Sequence, residues 1–128
     1  GKIIAAGNSF VGSPSTHQTT IVRYNINGSI DSTFGTDGKV FIQSVFPSEL
    51  ALQSNGKIVF VGTSGLSTTG AITNSNFYVA RLNSDGSFDT TFNGTGAVTL
   101  DLRETSDRVN SIKIQPDGKI VVGGVSHR

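Results

Sequence analysis

The chain has 128 residues, 35% of them apolar, with ten basic and nine acidic side chains and a net charge of +1. That length suits one ordinary domain, and so even a charge balance argues against a nucleic-acid partner, which needs concentrated Lys and Arg. No run of about twenty apolar residues occurs, so no membrane insertion is expected, and the absence of cysteine removes disulfides, thiolate metal sites and cysteine nucleophiles together.

Sixteen glycines among many Ser, Thr and Asn residues indicate tight turns. The chain has no methionine and opens inside a repeat, so it is expected to be a piece of something longer. The opening Gly1-Lys2-Ile3-Ile4 returns as Gly56-Lys57-Ile58-Val59 and again as Gly118-Lys119-Ile120-Val121. A second motif, Arg23-Tyr24-Asn25-Ile26-Asn27-Gly28-Ser29-Ile30-Asp31, returns as Arg81-Leu82-Asn83-Ser84-Asp85-Gly86-Ser87-Phe88-Asp89. Each copy of such a repeat is one unit of supersecondary structure.

Short Val, Ile and Phe runs bounded by Gly, Asn and Asp predict β-strands, and they fall into four types. In chain order the prediction is type two over 2–7, three over 19–25 and four over 39–43. It continues as type one over 49–53, two over 57–62, three over 77–83 and four over 97–102, then one over 111–115 and two over 119–124. Strands of type two are apolar at consecutive positions, which suits a strand covered on both faces. Val98, Leu100 and Leu102 alternate, as a half-buried strand requires. The turns Ser54-Asn55-Gly56 and Pro116-Asp117-Gly118 supply the glycine that a tight hairpin needs. No helical period appears. The chain reads as all-β, in the pattern 2-3-4, 1-2-3-4, 1-2.

Four antiparallel strands in roughly 55–60 residues match one blade of a β-propeller, and a solenoid of stacked hairpins is the alternative. The pattern Arg-Leu-Asn-x-Asp-Gly-Ser-x-Asp-x-Thr-Phe, then Gly-x-Val, then Gln-Pro-Asp-Gly-Lys-Ile-Val-Val-x-Gly resembles the delta-60 repeat. The copy at 81–124 matches closely. The first departs at Asn27, where Asp85 stands in the second, and at Ser54-Asn55, where Pro116-Asp117 stand. The resemblance implies a fragment of a propeller with four-stranded blades, from large bacterial proteins of which many are secreted or displayed at the cell surface. It implies no shared activity. The expected division is a partial blade over 1–47, a complete blade over 48–109 and a partial blade over 110–128. Since propellers need roughly four to eight blades to close, the open blade edges are expected to drive self-association.

The residues that invite a chemical reading recur with the repeat. Asn83-Ser84-Asp85-Gly86-Ser87-Phe88-Asp89 has the look of a calcium loop, yet it lacks a following bidentate Glu. Its competing and preferred reading is a turn held by Asn and Asp side chains on nearby amides, with no cofactor and no metal expected. Arg23 and Arg81 stand in apolar strands, eight residues before Asp31 and Asp89. Arg–Asp pairs, each fixing one hairpin, are the expectation, against exposed arginines that contact a ligand. Phe34 and Phe92 are expected to plug the gaps between blades rather than to form a sugar platform. Lys2, Lys57 and Lys119 are expected to be solvated or to bridge blades.

Neither His17 nor His127 has metal-ligand spacing; His17 reads as a solvated loop residue and His127 as part of a fraying end. No nucleophile-elbow context surrounds any serine. Loop length varies between repeats only after strand types two and four, which in an up-and-down blade emerge on one face. The variable segments are 8–18, 63–76, 44–48 and 103–110, and the ligand-binding candidates on that face are Phe10, His17, Phe46, Leu66, Asn74, Arg103, Glu104 and Asp107. The leading reading is therefore a non-catalytic binding or adhesion module for a glycan or another protein. A structural spacer or self-assembling unit is the alternative, and a propeller-type hydrolase or lyase a lesser one.

Overall fold

A computed structural model of the chain describes residues 1–13, 16–65, 74–102 and 106–127. Every regular element among them is a β-strand: β1 (Ile3–Val11), β2 (Thr16–Tyr24), β3 (Lys39–Gln43), β4 (Val45–Leu52), β5 (Ile58–Ser64), β6 (Asn76–Leu82), β7 (Ala97–Leu100), β8 (Asp107–Ile114) and β9 (Ile120–Ser126). They form three antiparallel sheets in the orders β1-β2-β3, β4-β5-β6-β7 and β8-β9. The expected pattern of strand types is the observed one. Each predicted strand is present; β1, β2, β4 and β8 run further into the variable segments than predicted, while β7 stops at Leu100, short of the predicted Leu102.

Two cores lie between the three sheets. The first joins Ile21, Phe34, Val40 and Ile42 of the first sheet to Val45, Ile58, Phe60, Ala80 and Leu82 of the second. The other joins Val59, Val61, Phe77 and Val79, on the opposite face of the second sheet, to Val109 and its neighbours in the third. The two-residue period of a strand sends Ile58 and Phe60 one way and Val59 and Val61 the other. This is why β5 is apolar at consecutive positions from Ile58 to Val61: residues 58–63 are all buried. In β1 and β9 the same apolar run is covered on one face only.

Contacts between sheets concentrate on β4 and β8, which pack against each other and against β1, β2, β5 and β6. Sheets that fan out from an axis approach most closely at their inner strands, so strand type one is innermost. Both inner strands carry an irregularity at the matching place, between Pro47 and Glu49 and between Val109 and Ser111. Proline is tolerated there because a bulged edge position has no ladder bond to give. Opposite each bulge stands a glycine. A Cβ on Gly62 would lie 2.3 Å from the Phe46 carbonyl oxygen, and one on Gly124 2.2 Å from that of Arg108. The inner strands are also tied by side chains: Ser48 Oγ donates to the Val109 carbonyl at 2.9 Å, and Glu49 Oε2 accepts from Ile112 N at 2.7 Å.

Candidate functional site

The blades have two ends of different character. At one end lie the repeated turns. Asp31 Oδ2 accepts from Arg23 Nε at 2.8 Å, and Asp89 Oδ2 from Arg81 Nε at 2.6 Å, so the expected pairs are both formed. The other carboxylate oxygen of each accepts the hydroxyl of Thr33 or Thr91 at 2.6 Å. The guanidinium groups lie over the rings of Phe34 and Phe92, at 4.6 and 4.9 Å from the centroids. Phe34 fills the gap between the first and second sheets, as expected, whereas Phe92 is half-buried against the second core and borders an open groove.

The lysines meet expectation only in part. Lys57 Nζ reaches Asp89 Oδ2 at 2.7 Å and Asn83 Oδ1 at 3.0 Å, and Lys2 Nζ reaches Asp31 Oδ2 at 3.2 Å. Neither bridges two blades: each completes the Arg–Asp pair within its own sheet, Lys57 largely covered and Lys2 still about half solvated. Lys119 pairs with Asp117 at 3.2 Å on the surface. The Thr33 hydroxyl, with Lys2 and Arg23, holds the Asp31 carboxyl well below the usual carboxylate range. Lys57, then Thr91 and Arg81, does the same for Asp89.

In the adjoining turn Asp85 Oδ1 accepts from Ser87 N at 2.9 Å and Ser87 Oγ at 2.6 Å, which also lowers its carboxyl below the ordinary value. Asn27 holds Ser29 in the same way in the first copy. The carboxylates of Asp31, Asp85 and Asp89 are thus committed to backbone amides and to neighbouring Arg, Lys, Ser and Thr side chains. No group of three or more His, Asp or Glu side chains placed to hold a metal occurs among the described residues.

The opposite end is where the repeats differ, and it gathers three of the candidates. Strand β1 runs on through the first variable segment to Val11, and β2 starts at Thr16, so Phe10 and His17 face each other as a strand pair. A single residue, Ser44, links β3 to β4, with a positive φ of 58° and its N–H on the His17 carbonyl at 2.9 Å. This short crossing lays Phe46 of the second sheet against His17 of the first. The imidazole lies between the two rings, 4.8 Å from Phe10 and 4.5 Å from Phe46.

His17 is therefore no solvated loop residue. It is 8% exposed, and neither ring nitrogen has a hydrogen-bond partner among the described residues. Phe10 is 61% exposed beside it. A polar group buried without a partner costs free energy comparable to a lost hydrogen bond. Both nitrogens are covered from solvent in this arrangement, so a ligand atom must displace a neighbouring group to bond to the ring and recover that cost.

The second crossing has a different make-up. Ser75, which stands where His17 does, donates Oγ to the Asp107 carbonyl at 2.9 Å and accepts from Asp107 N at 2.7 Å. The Asp107 carboxylate is fully buried and accepts from Leu102 N at 2.8 Å, which makes it a brace for the chain. Asn74, next to Ser75, is exposed with a φ of 60°. Leu66, Arg103 and Glu104 lie outside the described residues. His127, expected to fray, bonds through its N–H to the Ser106 carbonyl at 3.0 Å. Sequence reasoning passed over Ser44 as a determinant; only its lone position between two strands marks it.

Comparison with known proteins adds one finding. The model of a family described as Domain of unknown function (DUF5122) beta-propeller matches residues 1–34, 53–92 and 115–128, the greater part of the chain. No curated protein matches, and no solved structure matches. The matched segments hold the repeated turns, strands of types two and three and the variable segments 8–18 and 63–76 with Phe10 and His17, while Phe46 and the segments 44–48 and 103–110 fall outside them. With its three antiparallel sheets and its repeated Arg–Asp turns, the chain belongs to the DUF5122 beta-propeller family.

Proposed function

We propose that the chain is a non-catalytic binding module that takes a glycan on the face carrying Phe10, His17 and Phe46. One observation carries this reading: a buried imidazole with both nitrogens unpartnered, held between two phenyl rings, one of them exposed. Carbohydrate recognition uses this combination, an apolar ring for the C–H face of a sugar and a donor or acceptor for its hydroxyls. The position suits it, because loops at one end of a rigid scaffold commonly carry function. The resemblance to the delta-60 repeat favours a bacterial protein outside the cell or on its surface, where glycans are at hand.

The test is a titration of the isotope-labelled chain with chito-oligosaccharides, cello-oligosaccharides and soluble mannan, following the ring protons of His17. Binding by one of these should move the His17, Phe10 and Phe46 signals together. Phe10→Ala should weaken it by about tenfold or more, the loss of one stacking anchor, with little change in melting temperature. Unmoved aromatic signals across the panel would reject the glycan reading, and shifts produced only by a protein partner would replace it. A structural or self-assembling unit is the second reading, favoured by the repeated sheets stacked through two continuous apolar cores.

A further inference from the structure

Three asparagines of the chain are followed by glycine, at Asn27-Gly28, Asn55-Gly56 and Asn93-Gly94. Such a pair is prone to self-modification, because glycine has no side chain to keep its backbone nitrogen away from the neighbouring carboxamide. All three asparagines are exposed, so exposure does not separate them. Their hydrogen bonds do.

Asn27 and Asn55 are locked in tight turns. Gly28 N donates to the Asn25 carbonyl and Gly56 N to the Gln53 carbonyl, each at 2.9 Å, so both prospective nucleophiles are engaged. The side chains are held as well. Asn27 Oδ1 accepts from Ser29 N at 3.1 Å and from Ser29 Oγ at 2.7 Å, and Asn55 Oδ1 accepts from Lys57 N at 3.1 Å. These turns use only an oxygen of the side chain. Asp85 and Asp117, at the equivalent places in the other copies, accept from Ser87 N at 2.9 Å and Lys119 N at 3.1 Å.

Asn93 is bound differently. With a φ of 52°, it donates Nδ2 to the Ala97 carbonyl at 3.0 Å, which ties the connection after β6 to the first residue of β7. Gly94 N has no hydrogen-bond partner among the described residues, and a Cβ on Gly94 would meet nothing within 4 Å. The exposure belongs to this turn itself. Gly35, at the equivalent place in the first copy, is exposed too, although the Asp85 carbonyl is seated on its N–H.

We propose that Asn93-Gly94 is a self-modification site, at which the folded chain loses ammonia ahead of the other two pairs and so loosens β7. Gly94 N gives its proton to solvent hydroxide and attacks Asn93 Cγ, a step favoured by holding the two groups side by side. The new C–N bond closes a succinimide, and the Cγ–Nδ2 bond breaks to release ammonia. Water then opens the ring at either carbonyl, leaving an aspartate or an isoaspartate in place of Asn93. Both products lose the donor to the Ala97 carbonyl, and the isoaspartate also adds a methylene to the backbone. Strand β7 is four residues long and bonded to one neighbour, β6, so it feels the loss. Conversion of Asn27 or Asn55 to aspartate would be silent, since Asp85 and Asp117 already serve in the same turns. This inference is independent of the glycan reading, which concerns the other end of the blades.

The experiment keeps the folded chain at mildly alkaline pH and follows the amide-to-acid mass gain at each asparagine by peptide mass spectrometry, beside the same chain in urea. Asn93 should convert at least about tenfold faster than Asn27 and Asn55 when folded, and the three rates should converge in urea, where the turns are gone. Amide exchange at residues 97–100 should quicken in step with the conversion. Asn93→Asp should reproduce that quickening, and Asn27→Asp should not. Asn27 or Asn55 keeping pace with Asn93 in the folded chain, an order of rates that persists in urea, or unchanged exchange at residues 97–100 after conversion would each overturn the proposal.

Discussion

At the scale of single residues, the two aspartates at 31 and 89 do the most. Each gathers an arginine, a lysine and a threonine, and each carboxyl is held well below its ordinary range by them. A carboxylate whose folded-state pKa is depressed contributes stability that is complete above the unfolded value, about 4, and lost as pH falls through the folded one. Urea midpoints should therefore stay level above about pH 5 and fall steadily below about pH 4. Asp31→Asn with Asp89→Asn should start lower at neutral pH and show a flatter acid limb. A double variant with the wild-type slope would remove these groups from the account. The Arg–Asp half of each cluster was legible, because the eight-residue spacing recurs in both copies. The lysine was not, since its reach to the aspartate depends on strands β1 and β5 lying beside their neighbours. His17 misled for a similar reason: what buries it is Phe46, which comes from another sheet.

At the scale of strands, the glycines opposite the inner bulges distinguish a complete blade from an incomplete one. Gly62 in β5 faces the Phe46 carbonyl, and Gly7, at the equivalent place in β1, has nothing within 4 Å of an added Cβ. Gly62→Ala should cost about 1–3 kcal/mol in chemical denaturation, because the obstructing atom is backbone and cannot swing away. Gly7→Ala should stay within about 0.5 kcal/mol of wild type. Equal effects at the two sites would mean that β1 is covered after all. The strand boundaries were least legible at the variable end. Residues 8–11 and 16–18, largely polar, lack the apolar alternation that announces a strand, yet continuous pairing from Ile3 opposite Tyr24 to Val11 opposite Thr16 extends both.

At the scale of the molecule, three sheets fan out and only the middle one is covered on both faces. Amide protection should follow that arrangement. Hydrogen exchange is expected to be slowest in β5 and β6, where buried residues face both cores, and faster in β9 and in the outer strands β3 and β7. Uniform protection across the three sheets would indicate that the open faces are occupied in solution. The two ends of the fan divide the labour. One end repeats and holds the sheets to each other, while the other varies and carries the aromatic cluster proposed as the ligand site.

The order of strands, their antiparallel pairing, the turn chemistry and the Arg–Asp pairs were determined by the sequence alone. They rest on local periods and on spacings that the chain states twice, so short-range rules suffice to read them. Which apolar faces are covered, how far a lysine reaches, why His17 is buried and where a groove opens were decided only by the tertiary structure. Each depends on residues brought from a different sheet, and no local pattern records which neighbours those will be.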